Sequence, residues 1–357
     1  MLNVVNKPIQ ALLIMLCVAA LPAAAQERTA PALPPDGQQA FDRGLMAVQL
    51  QEWDLAIRYF TAASYTGPVV PTVLFNLGLA HARAGHELPA IAWLHAYLAV
   101  TPQAPNAEAI RAEIERLKTV MRGKMNAIFQ TAITAAQQLD PNGPFLQDKD
   151  TALFGIADSQ ARAGDVEGAI ATSKLRGYQE ETPKVSSRWW SVFSKELMWN
   201  GDLERAQEAM KNVTAAEDQD GVWDTRCNKM YMSGDLEAAR NAAQKIHDAD
   251  KRGRWLQVLR IKDAEGKSQT INREGAAKEY VDDWCGLAYG FSTDECTCNV
   301  ENALKDAAEA KGDRWRIHGE TATNRIENLA EVAESLGIAL NKISVLERKS
   351  GQERGGK

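Results

Sequence analysis

"DRGLMAVQLQEWDLAIRYFTAASYTGP", Asp42 to Pro68, and "NLGLAHARAGHELPAIAWLHAYLAVTP", Asn76 to Pro102, lie 34 residues apart and align without a gap. Gly44 falls opposite Gly78, Leu45 opposite Leu79, Ala56 opposite Ala90 and Pro68 opposite Pro102. A fixed period of this length marks a unit that cannot bury its apolar face alone and stacks on copies of itself. A small residue in each half of the unit predicts two helices that approach too closely for larger side chains.

The pattern resembles the tetratricopeptide repeat, a 34-residue helix-turn-helix unit with small residues at positions 8, 20 and 27 and often Pro at 32. With Gly37 and Pro71 as position 1, the first unit matches all four features and the second matches three. The exceptions are Tyr97 at position 27, where the first unit has Ala63, and Ala40 at position 4, where the family often has Trp. The same frame extends to "ARAGDVEGAI" (Ala161 to Ile170), "GDLERA" (Gly201 to Ala206) and "GDLEAA" (Gly234 to Ala239). Each Gly then falls at position 15, between the helices, and each following Asp caps the second helix. Position 8 reads Gly44, Gly78, Ala157, Ser194 and Cys227, and position 20 reads Ala56, Ala90, Ala169, Ala206 and Ala239. Position 4 continues as Leu74, Leu153, Trp190 and Trp223. A sixth, degenerate unit is expected near Lys251, with Trp255 at position 4 and Leu259 at position 8.

What surrounds the repeats sets the expected organisation. "MLNVVNKPIQALLIMLCVAALPAAA" carries one Lys, no acid and an apolar run from Ala11 to Leu21, which reads as a cleavable signal peptide over 1–25. The run is short for a membrane span, and Leu16 before Cys17 argues against lipidation. Residues 26–36, with Pro31, Pro34 and Pro35, read as a flexible leader. The array of two repeats and a closing helix is expected over 37–121, with Ile110, Ile114 and Leu117 on one face of that helix and a separate helix from Lys124 to Leu139. A degenerate array follows over 122–272, and a helical C-terminal region over 273–357. There a Cys-bearing loop precedes a long helix from about Gly319 to Lys349, and the final "SGQERGGK" is expected to be disordered. On that helix Ile326, Leu329, Ala333, Leu336, Leu340 and Ile343 alternate spacings of 3 and 4. Such a seam packs either on its own chain or on a second copy through residues 326–343. The fold expected is all-α: a right-handed superhelical array of tetratricopeptide-like hairpins with a helical C-terminal region.

The function classes are narrowed mostly by exclusion. The formal net charge is −6 and falls to −7 with loss of Lys7, so nothing invites nucleic acid or an anionic membrane. There is no G-x-S-x-G, H-E-x-x-H, phosphate loop or G-x-G-x-x-G. An EF-hand register on Gly221 puts Ala216 and Cys227 at ligand positions. His81, His86 and His95 all fall in the second repeat and are not expected to converge on a metal; no cofactor is called for. In an exporting compartment Cys285, Cys296 and Cys298 are disulfide candidates, with a Cys296/Cys298 redox pair as the alternative, and Cys227 reads as a buried thiol.

The resemblance implies that first-helix positions 2, 5, 9, 12 and 13 line a concave surface. In this frame these include Phe41, Phe75 and Phe154 at position 5, Leu45 and Leu79 at position 9, and Arg83 and Arg162 at position 13. An apolar groove with basic spots suits an amphipathic helix or an apolar peptide. It could also be covered by the chain's own leader or C-terminal helix. The reading is a periplasmic or secreted scaffold that binds a protein or peptide and is not an enzyme. The alternative is a redox or enzymatic protein working through the Cys-bearing region, with the repeats as docking module.

Overall fold

The computed structural model describes residues 32–139, 149–176, 182–264 and 322–355, and the described residues are helical throughout, with no strand. The first hairpin is α1 (Pro35–Gln49) and α2 (Trp53–Ser64), and the second is α3 (Pro71–Ala84) and α4 (Glu87–Val100). Pro35 and Pro71 each open a first helix, where the missing N–H costs nothing and the fixed φ is already helical. The leader is folded at its end, because Pro35 and Asp36 are already in α1 and Leu33 packs against the core.

Next comes α5 (Ala107–Ala136), one continuous helix rather than the two expected on either side of residues 122–123. Gly123 is its only breaker and faces open space, a cost of about 1 kcal/mol. The apolar face runs past it without interruption through Ile110, Ile114, Leu117, Met121, Met125 and Ile128. Burial of that stripe outweighs the glycine.

The later hairpins are α6 (Lys149–Ala163) with α7 (Val166–Ser173), α8 (Thr182–Trp199) with α9 (Leu203–Met210), and α10 (Ala216–Met232) with α11 (Leu236–Ala243). Then come α12 (Ala249–Ala264) and α13 (Ala322–Gly355). The turn inside each hairpin is made as the Gly-Asp pairs predict. Gly85, Gly164, Gly201 and Gly234 have φ of 83°, 97°, 82° and 82°, a left-handed conformation open to glycine at little cost. Asp165, Asp202 and Asp235 accept from the backbone N–H of Gly168, Arg205 and Ala238 at 3.0, 3.3 and 2.9 Å.

The fifth residue at that turn position is Gln51, also left-handed at φ 59°. A side chain there costs about 1 kcal/mol or more. Gln51→Gly should therefore raise the melting temperature by roughly 2 °C. An unchanged or lower value in thermal unfolding by circular dichroism would show that the Gln51 turn carries no strain.

Where the helices of a hairpin cross, the small residues are required. A Cβ added at Gly44 would lie 2.4 Å from the Phe60 ring, and one at Gly78 2.7 Å from Leu94. Ala56, Ala90, Ala169, Ala206 and Ala239 are fully buried on the facing helices. In two later units the small residue also ties the pair together: Ser194 Oγ donates to the Ala206 carbonyl at 2.9 Å and Cys227 Sγ to the Ala239 carbonyl at 3.3 Å. Position 1 has a role absent from the expected pattern. Ser187 Oγ accepts from Thr214 N and Ala215 N, and the buried Asp220 accepts from His247 N and Asp248 N, so each fixes the loop leading to the next hairpin. Leu259 on α12, where the expected frame has a small residue, is fully buried.

The last helix completes the middle of the molecule. α13 packs against α5 and α6 and reaches α4. It runs antiparallel to α5, since Glu347 meets Lys118 near one end while Leu340, Asn341 and Ser344 face Arg122, Met125 and Asn126 further along. Against α6, Gly337 lies on Ala163, and Asn341 Nδ2 donates to the Ala163 carbonyl at 3.3 Å. Ile326, Leu329, Ala333, Leu336, Leu340 and Ile343 are all buried in one core with α1 to α6. The seam offered for self-association over 326–343 is thus occupied within the chain. The helix also continues to Gly355 through residues expected to be disordered, because Ser350 and Gly351 weaken helical hydrogen bonding without removing a donor.

Candidate partner-binding surface

The residues predicted to line a groove divide into three groups. Phe41 packs on Phe60 with ring centroids 5.4 Å apart, and Phe75 packs on Tyr97 at 5.2 Å; both lie against the core. Phe154 packs on Trp189 at 5.4 Å beneath the Arg176 guanidinium, yet remains 39% exposed. These rings are offset aromatic pairs first and surface second. Leu45 is 37% exposed, Leu79 half-buried and Arg83 exposed.

Arg162 faces the chain's own C-terminal helix. Its Nε is 2.7 Å from Asp158 and 3.9 Å from Glu334 on α13. Burial pushes the Glu334 carboxyl above its usual range, against a hydrogen bond from Ser159 and the charge of Arg162. None of α1 to α4 packs substantially on α6, because α5 and α13 lie next to it instead. The structure therefore does not bring Phe41, Phe75 and Phe154 into one row.

α13 is held at its far end by two ionic clusters. Glu347 accepts from His95 Nε2 at 2.9 Å and lies 2.6 Å from Lys118 Nζ. Burial opposes its ionisation, but hydrogen bonds from His95 and Lys118 prevail and hold its carboxyl below the usual range. The next residue, Arg348, pairs with Asp202, the buried carboxylate that also caps α9. His95 is thus committed to α13, while the His81 and His86 rings lie 5.7 Å apart. Burial, with the neighbouring His86, pushes His81 down to about 3, so it stays neutral at physiological pH. Among the described residues no group of three His, Cys, Asp or Glu is placed to hold a metal ion.

Cys285, Cys296 and Cys298 lie outside the described residues. Cys227 is buried, and burial, reinforced by the charge of Asp224, pushes its thiol up to about 12. A thiol so rarely ionised is a packing group.

The frame also locates surface residues that the resemblance did not supply. Position 13 of the fourth and fifth units is Trp199 and Met232, which are 48% and 73% exposed. Lys229 joins them, donating to the Trp199 carbonyl at 3.1 Å and resting over its indole at 5.6 Å. Both are at the position where Arg83 and Arg162 were singled out, so carrying that position two units further would have found them. Met46 on α1 is likewise exposed beside Leu45.

No known protein family matches the chain, and neither any curated protein nor any solved structure is detectably similar to it. Among the described residues no helix is long and apolar enough to cross a membrane.

Proposed function

We propose that this chain is an exported scaffold, periplasmic or secreted after loss of residues 1–25, whose tetratricopeptide-like hairpins form a right-handed superhelical array that binds a protein or peptide partner. The observation that carries this reading is the set of large apolar side chains left exposed on first helices at frame-related positions: Leu45, Phe154, Trp199 and Met232. Helices stacked with their neighbours offer an extended surface rather than a deep, dry pocket, which favours recognition over chemistry. Exposed Trp and Met adapt to apolar partner side chains and rank among the residues that dominate interface energetics.

The test uses these exposed residues, because Phe41 and Phe75 support their own hairpins. Trp199→Glu with Met232→Glu should reduce partner capture from an envelope extract about tenfold or more while leaving the circular dichroism melting curve in place. Leu45→Glu, made separately, asks whether the first hairpin shares the surface. Capture of the same proteins in undiminished amounts by both variants would remove the reading.

A further inference from the structure

Along the stack, α2 packs on α3, α4 on α5, α7 on α8 and α11 on α12, but α9 makes no comparable contact with α10. The apolar cores also divide nearby, within α10: one runs from Ala157 to Val222, the other begins at Cys227, and Leu203 touches both. The space left between α9, α10 and α11 is a cavity of about 500 Å³, lined by Gln207 and Met210 of α9, Trp223 and Arg226 of α10, Ala242 of α11, and Lys211 and Lys245 just past the ends of α9 and α11.

Its chemistry differs from the rest of the chain. The sequence has more acids than bases, 47 against 41, yet no carboxylate lines this cavity and three cations do. Two of them are fixed on one ring: Lys245 Nζ lies 4.6 Å from the centre of the Trp223 indole and the Arg226 guanidinium 5.7 Å. The Gln207 amide, with its oxygen turned to Arg226, accepts from Nη1 at 2.7 Å and Nη2 at 3.0 Å and sets the plane of the guanidinium. Among the described residues neither Arg226 nor Lys245 has a carboxylate partner, whereas Lys211 pairs with Glu208 at 2.5 Å. Two like charges drawn to one indole repel each other, and an anion between them relieves that repulsion. Met210, Ala238 and Ala242 add apolar wall beside the cations.

We propose that the cavity between α9, α10 and α11 binds an organic carboxylate, with Arg226 and Lys245 holding the anionic head and Met210, Ala238 and Ala242 receiving an apolar body. Arg226 offers the planar fork that matches a carboxylate, and Lys245 a point charge beside it. The volume is within the range of small-ligand sites and admits a bicyclic ring or a short stretch of peptide. The site is built largely from second helices and does not depend on the first-helix surface discussed above.

Calorimetric titration of the full chain with three probes of one shape tests this: 1-naphthoate, 1-naphthylmethanol and 1-naphthylmethylammonium. Naphthoate should bind with Kd below about 1 mM and about tenfold or more tighter than the other two. Its affinity should fall by about the same factor in Arg226→Gln/Lys245→Gln, and should weaken in the wild-type chain as salt rises. The salt series requires no variant and so reads charge dependence even where the double variant is less stable. An acetylated Leu-Glu-Leu amide separates the two sources of the carboxylate: tighter binding than naphthoate assigns the site to an acidic peptide, weaker binding to a free organic acid. Equal affinity for the three naphthyl probes, or naphthoate binding indifferent to both the variant and salt, would overturn the proposal.

Discussion

Ending the chain at residue 321 should disrupt the middle of the molecule, with loss of a cooperative urea transition and rapid proteolysis around α5 and α6. The five large side chains Ile326, Leu329, Leu336, Leu340 and Ile343 are all at least nine-tenths buried on α13. Each contributes about 1.5–3 kcal/mol by burial, so their joint removal costs on the order of 10 kcal/mol, as much as a typical domain has in total. Truncation also leaves Lys118 and Asp202, both buried, without the charges of Glu347 and Arg348. A truncated chain unfolding at the same urea concentration as the full one would show that α13 is dispensable. The expected result also governs partner experiments: a partner lost on removing residues 274–357 would be lost through the fold, whatever surface it uses.

Gly337→Val should produce much of the same loss from a single side chain. A Cβ at residue 337 would lie 2.3 Å from the Ala163 Cβ, 2.5 Å from its Cα and 2.6 Å from its carbonyl oxygen. Two of these atoms are backbone, so no rotamer change relieves the clash and α13 has to move away from α6. That movement breaks the bond from Asn341 to the Ala163 carbonyl and loosens the buried seam. Overpacking of this kind costs about 1–3 kcal/mol, and more where several layers shift together. Gly123→Ala is the matched control, since Gly123 sits in α5 of the same joint with nothing near its missing Cβ. It should be stabilising by up to about 1 kcal/mol. Equal effects of the two substitutions in chemical denaturation would refute the close approach.

The difference between what was legible in the sequence and what was not follows the range of each interaction. Turn glycines, Asp caps and small crossing residues act within one hairpin, over spans such as the twelve residues from Ser194 to Ala206, so their spacing reveals them. Gln51 escaped because its residue type hides a left-handed turn that its position in the frame implies. The Ser187 and Asp220 clasps reach 27 and 28 residues ahead, and only the repetition of that reach marks them. The heptad seam announced a buried face on α13 but could not name the surface that buries it. That surface belongs to α5 and α6, far off in sequence, and α5 was itself divided at Gly123. The candidate site was less legible still. Phe41 and Phe75, expected in a groove, pack on Phe60 and Tyr97 against the core, whereas Trp199 and Met232 were recoverable from the frame.

The bond between His95 and Glu347 joins residues 252 apart. Nearly every other contact in the stack lets a hairpin settle on the one made just before it, in the order of synthesis. The joint between α5 and α6 is different: it waits for α13, far along the chain. During synthesis the faces of α5 and α6 that pack on α13 stay uncovered until that helix is made, so this interval is the window in which the unfinished protein is most open to misassembly. Closure of the joint therefore reports that synthesis has passed α13.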